Sequence, residues 1–310
     1  MVKTIPFLTR LSFFFALLLS PLLSAQEPGQ YRFWQEIAVA DQTFAARSSE
    51  IGRTRAFLEI LGEDSVVFRE GPVDASALYS SDAFKESASE INWKAHYIDV
   101  SRAGDLGLSA GPLTIIDRSG DSDQNLFGHL ISIWKKSNSR WELMSDIVVQ
   151  IPGFLSLEVE PNIEATIPVF AETAHPVLAL DQNNTLQSLI DADNLFGRSI
   201  NFRGGQRALL RFGLENSRVY LPGMAPAVGA ESASSVYGAF LDNQLSTTNP
   251  ISLTYLGGFL SESKEMGYTY GIMEADTDDD EKGFITDYLR LWRFTSFNEW
   301  RIAVEVLSPH

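Results

Sequence analysis

The sequence predicts an α+β fold made twice: two tandem units, each with N-terminal helices packed on a strongly curved antiparallel sheet. Three observations carry this prediction. Residues 40–71 align with residues 192–223 without a gap, and eleven of the 32 positions are identical, among them Asp41/Asp193, Phe44/Phe196, Gly52/Gly204, Arg55/Arg207 and Val67/Val219. Farther along, Gly107-x-x-x-Gly111 matches Gly267-x-x-x-Gly271, Trp134 matches Trp292, Trp141 matches Trp300, and Asp146 falls opposite Glu305. Within each copy, the apolar spacing changes from a helical period to strand alternation in the same order. A period of about 155 residues is too long for a solenoid and reads as a duplicated domain. The first unit is expected over residues 31–150 and a divergent second unit over residues 184–307. Between them lies a connector, 151–183, punctuated by Pro152, Pro161, Pro168 and Pro176.

In the first unit, Trp34, Ile37, Ala38, Asp41 and Phe44 fall at helical spacing, which predicts an amphipathic helix over 31–48. A short helix follows over 54–61. A brief β-rich run, 65–68, stops at Gly71-Pro72, and a helical turn is expected over 75–83. Alternation then predicts strands over 91–101, 106–116, 127–136 and 140–150, joined by Arg102-Ala103-Gly104, Ser119-Gly120-Asp121 and Ser137-Asn138-Ser139. The second unit repeats the order, with strands over 251–261, 265–274, 283–294 and 299–307. Helices first and a meander last place the helices over one face of the sheet.

The succession ADQTFAA, TRAFLEILGEDSVVFREGP, GDLGLSAGP, GHLISIWKK and WELMSDI resembles the SnoaL-like domains of the nuclear-transport-factor-like cone superfamily. The resemblance spans nearly all of 31–150 and, more loosely, 184–307. It implies a cone: a curved sheet wrapped around its helices with a pocket inside. Ketosteroid isomerases, polyketide cyclases, dehydratases and non-catalytic binding modules share that fold, so the fold by itself does not assign a function.

Residues 1–25 place Lys3 and Arg10 ahead of an apolar block ending at Ala25, with no acid in the stretch, the pattern of a signal peptide. The uncharged run from Leu11 to Ala25 is shorter than the ~20 residues that span a bilayer, so cleavage and a periplasmic or extracellular destination are expected. With no cysteine, disulfides, thiolate catalysis and cysteine-linked lipid are excluded. The formal charge of −16, or −18 without Lys3 and Arg10, disfavours nucleic acid and anionic membranes as partners.

Gly107-Leu108-Ser109-Ala110-Gly111 has the form of a hydrolase nucleophile elbow, but the following Pro112–Ile116 continues as strand, whereas an elbow turns into a helix. Its glycines are better explained by sheet bending and close backbone approach. Asp276, Asp278, Asp280 and Asp287 have the spacing of a calcium loop, but Glu281 stands where that loop needs glycine, and a solvated hairpin tip is expected. No histidine pair has metal-ligand spacing, and neither a metal nor another cofactor is expected.

Asp41, Asp146 and His129 are therefore the candidate proton-transfer groups, with Glu305 retaining the acid in the second unit and Asp287 replacing the histidine. Asp41 with Arg55, and Asp193 with Arg207, are expected to pair as ions docking the first helix on the second. Phe44, Phe57, Trp93, Tyr97 and Trp134, and in the second unit Phe196, Tyr220, Tyr268 and Trp292 with Glu305, are candidate pocket residues. The leading expectation is an exported protein that binds a small apolar organic molecule. A non-catalytic interaction module and an isomerase, lyase or cyclase are the alternatives. The apolar connector (Phe154, Leu155, Leu157, Val159, Ile163, Ile167, Val169, Phe170) predicts that the two units pack on each other.

Overall fold

The computed structural model describes residues 28–81, 89–118, 124–155, 184–244, 250–275 and 283–310. The expected signal peptide, most of the connector and the acidic turn at 276–282 lie outside the described residues. The first unit runs α1 (Pro28–Ile51), α2 (Arg53–Ile60), β1 (Leu61–Phe68), β2 (Pro72–Asp74), α3 (Ala75–Ser80), β3 (Glu90–Trp93), β4 (Tyr97–Val100), β5 (Leu106–Asp117), β6 (Gln124–Ser137) and β7 (Arg140–Ile151). The second runs α4 (Leu186–Arg203), α5 (Gly205–Phe212), β8 (Gly213–Tyr220), β9 (Ala227–Val228), α6 (Ala230–Gln244), β10 (Ile251–Leu260), β11 (Met266–Ala275), β12 (Phe284–Phe294) and β13 (Trp300–Pro309). None of the described helices is long and apolar enough to cross a membrane.

The fold is α+β, with two sheets, each preceded by helices. Their strand orders are β2-β1-β7-β6-β5-β3, with β4 also on β5, and β10-β11-β12-β13-β8-β9. The sheets are not wholly antiparallel: β1 joins β7, and β8 joins β13, in parallel. The chain lays a strand down directly after its second helix, and the meander returns to it from the far edge.

Several retained residues acquire a physical reason. Gly52 and Gly204 sit at the break between successive helices with φ of 89° and 78°, a region that favours glycine. A Cβ on Gly107 would meet Ile37 of α1, and one on Gly267 would meet Leu189 of α4. A Cβ on Gly111 would strike the Lys94 carbonyl at 1.9 Å, and one on Gly271 the Thr254 carbonyl at 2.0 Å. The Gly-x-x-x-Gly motif thus admits a helix side chain at one end and an adjacent strand's backbone at the other. Both sheets carry a bulge at the same place, after Ile133 and after Leu291, which bends the strands.

In each unit the helices cover one sheet face, burying Ile37, Phe44, Phe57, Tyr79 and Trp134 in the first and Leu189, Phe196, Tyr237 and Trp292 in the second. The opposite faces meet each other. Leu108, Ile131, Ile133 and Ile147 pack in one cluster with Tyr268, Leu289, Leu291 and Val304. The contacts are reciprocal. The Arg102 N–H donates to Glu265 (2.8 Å), while the Glu262 N–H donates to Asp105 (2.7 Å). Lys135 lies over the Phe259 ring (4.5 Å), and its counterpart Arg293 pairs with Asp99, the counterpart of Phe259. This is the pattern of a two-fold dimer interface drawn inside one chain. Phe154, expected to be buried, is 82% exposed.

Candidate functional site

Cross-strand partners share a sheet face, so the register fixes the interior of each unit. In the first, Ser109, Ser132, Asp146 and Val67 occupy one row across β5, β6, β7 and β1. In the second, Thr269, Arg290, Glu305 and Val219 occupy the same row across β11, β12, β13 and β8. Asp41 of α1 and Asp193 of α4 descend onto these rows from the helices.

In the second unit the row is closed by one guanidinium. Fully buried Arg290 donates to Asp193 (2.7 Å) on one side and to Glu305 through Nε (2.6 Å) and Nη2 (3.1 Å) on the other. It lies over the rings of Phe196 (4.8 Å) and Tyr288 (4.0 Å), and the Tyr288 hydroxyl donates to Asp193 (2.7 Å). Burial drives the Glu305 pKa upward and Arg290 opposes it.

The first unit retains both acids and lacks the arginine. Ser132 stands at the position of Arg290. Asp41 is buried and accepts a hydrogen bond from Ser109 (2.7 Å), which in turn accepts one from Trp134 Nε1 (2.8 Å). Burial raises the Asp41 pKa from 3.8 to about 6; Ser109 and, more weakly, the nearby Trp93 indole N–H pull the other way. Asp146 is buried, with Oδ2 lacking a hydrogen-bond partner among the described residues. Its pKa is raised by burial and drawn down by the positive charges of Arg53 and Arg69.

Asp41 also lines a groove of about 400 Å3 between α1 and the end of β3, walled by Ala38, Ala45, Ala46, Trp93 and Ala95, with Gln42, Ser49, Asn92 and Lys94 as its further polar lining. That volume lies within the ~300–1,000 Å3 range of small-molecule sites. The second unit fills the equivalent place. Leu253, the counterpart of Trp93, is pressed so closely on Gly197, the counterpart of Ala45, that a Cβ there would lie 2.3 Å from it. Asn201 then clamps Ile251 with two 2.8 Å hydrogen bonds to its backbone. In the first unit, the expected strand over 91–101 is instead broken at Lys94–His96, and the groove lies beside the break.

Several sequence expectations are corrected here. Arg55 and Arg207 are exposed and pair with neither Asp41 nor Asp193. Each aspartate turns inward to the sheet, to Ser109 in one unit and Arg290 in the other, while the arginine points outward from its short helix. His129 does not join Asp146. It stands an odd number of residues from Ser132, hence on the opposite sheet face, 5.7 Å from the Tyr220 ring across the seam between the units. There burial, and secondarily His96, lower its pKa to about 4. Its counterpart Asp287 is also at the seam, accepting from the Gly71 N–H (3.2 Å) and lying 3.1 Å from His310. Tyr97, Tyr220 and Tyr268 likewise belong to the inter-unit cluster. Phe44, Phe57, Trp134, Phe196 and Trp292 are buried core, and of the aromatic candidates Trp93 lines the groove. The residue that sequence reasoning missed is Arg290, a cation in the middle of an apolar strand, and that incongruity was its signal. Asp276, Asp278 and Asp280 lie outside the described residues, and no group of three or more acids or histidines among the described residues is placed to hold a metal ion.

No family model matches the chain, and no curated protein matches it. Among solved structures, a ketosteroid isomerase-like protein from Erwinia carotovora atroseptica is similar at 16% identity, covering 41% of this chain and 97% of its own, with a TM-score of 0.34. A putative dehydratase of the NTF2-like family from Streptomyces avermitilis is similar at 15% identity, covering 40% and 95%, with a TM-score of 0.32. An NTF-2 like protein of unknown function from Shewanella oneidensis is similar at 12% identity, covering 40% and 98%, with a TM-score of 0.32.

Proposed function

We propose that the protein is an exported binding protein that takes up a small, largely apolar organic molecule in the groove of its first unit, while the second unit serves as a closed, supporting copy. The observation that carries this reading is Asp41: a buried carboxylate among the residues lining a groove walled largely by alanines and Trp93. Its counterpart Asp193 is sealed by Arg290. A polar group set in an apolar concavity is the usual composition of a small-molecule site. The basic and apolar succession of residues 1–25 supports export. Native mass spectrometry of the purified protein tests the binding. The expected result is a retained small-molecule mass that disappears when Ala45→Phe fills the groove. No retained mass, or one that survives Ala45→Phe, counts against the reading.

A further inference from the structure

We infer that the molecule taken by the first unit is a small organic cation: an ammonium or guanidinium head on an apolar body, bound with its head at Asp41. The inference deepens the proposed function and rests on it. Its ground is the second unit, which displays what its interior is built to hold. There a guanidinium lies between two carboxylates and over two aromatic rings. The first unit keeps the same receptors, with Asp41 for Asp193, Asp146 for Glu305 and Phe44 for Phe196, and replaces the cation by Ser132.

Two buried carboxylates are left. No lysine or arginine among the described residues forms an ion pair with either, although the charges of Arg53 and Arg69 reach Asp146 from farther off, and Asp146 Oδ2 lacks a hydrogen-bond partner among the described residues. A buried carboxylate is costly unless paired, so the interior favours a positive charge supplied from outside. Asp41 is the acid that the groove reaches. Trp93 on the groove wall offers the type of ring over which cations are best held. The alanines leave room for an apolar body, and the chain's formal charge of −16 draws cations toward it.

Isothermal titration with benzylammonium and with its neutral near-isostere benzyl alcohol, near neutral pH, separates the alternatives. Benzylammonium is expected to bind about tenfold more tightly or better. The preference should vanish in Asp41→Asn, where the amide still accepts from Ser109. Ser132→Arg, which supplies an internal guanidinium, should abolish amine binding. Equal binding of amine and alcohol, lost in Ala45→Phe, would overturn the cation inference and leave the groove reading standing. Binding of neither probe overturns both, and an amine preference unchanged in Asp41→Asn overturns the assignment to Asp41.

Discussion

At the scale of single residues, buried charge is the dominant energetic fact. Arg290 neutralises two acids that would otherwise be stranded in a dry interior. Replacing it with methionine keeps much of the volume and removes the charge, and is expected to destabilise the protein by about 3–5 kcal/mol near neutral pH. The loss should shrink as pH falls, because Glu305, whose pKa burial raises, becomes protonated in the folded state before the unfolded chain does. Urea denaturation of Arg290→Met at several pH values measures both effects. Asp41 gives the complementary case. Its folded pKa of about 6 exceeds the ordinary 3.8, so the folded state holds a proton that the unfolded chain releases between these values. The wild type should therefore lose about 3 kcal/mol of stability as pH rises from about 4 to about 6. Asp41→Asn should lack that part of the slope. Parallel pH series of the two proteins, with no difference in slope, would show Asp41 to be an ordinary exposed-type acid.

At the scale of elements, the glycine motif shows how one sequence pattern serves two different approaches. The Cβ of Gly111→Ala would drive into the backbone of Lys94, which cannot rotate away, whereas that of Gly107→Ala meets mainly the tip of the Ile37 side chain. Gly111→Ala is therefore expected to cost about 1–3 kcal/mol and Gly107→Ala less, with chemical denaturation as the measure. The Lys94–His96 break in the first unit should also shift in Gly111→Ala, disturbing the groove beside it. The corresponding β10 of the second unit runs unbroken through a bulge after Tyr255. The same fold therefore offers an open groove in one copy and a packed helix–strand contact in the other.

At the scale of the whole molecule, two sheets are joined back to back by an apolar cluster with an ionic cluster in it. Arg293 pairs with Asp99 and, at 3.2 Å, with Glu265, all three buried. Removing the shared cation by Arg293→Ala leaves two acids uncompensated across the seam and is expected to cost about 3–5 kcal/mol. The seam should also outlast a cut chain. A protease nick between Phe154 and Phe170 is expected to give two halves that co-elute on size-exclusion chromatography, and to separate them in Arg293→Ala at lower denaturant than in the wild type. Halves that part at once in buffer would mean that the covalent connector, and not the seam, holds the units together.

Much of this organisation was legible in the chain. Eleven identities in 32 positions exposed the duplication, the change of apolar period placed helices before strands, and the glycines of Gly107-x-x-x-Gly111 marked close backbone approach. These features are local, or repeat along the chain, so sequence spacing determines them. The partners of the retained acids were not legible. Asp41 and Arg55 look suited to each other in sequence, yet Asp41 turns to Ser109, 68 residues away, and Asp193 to Arg290, 97 residues away. Which sheet face His129 occupies follows from strand register, and which face packs against the other unit follows from how the two sheets meet. The openness of one unit and the closure of the other were decided there too. Ser132 and Arg290 hold equivalent places, but only tertiary packing brings each against an aspartate from a distant helix, because a buried charge selects its partner by proximity in space and not along the chain.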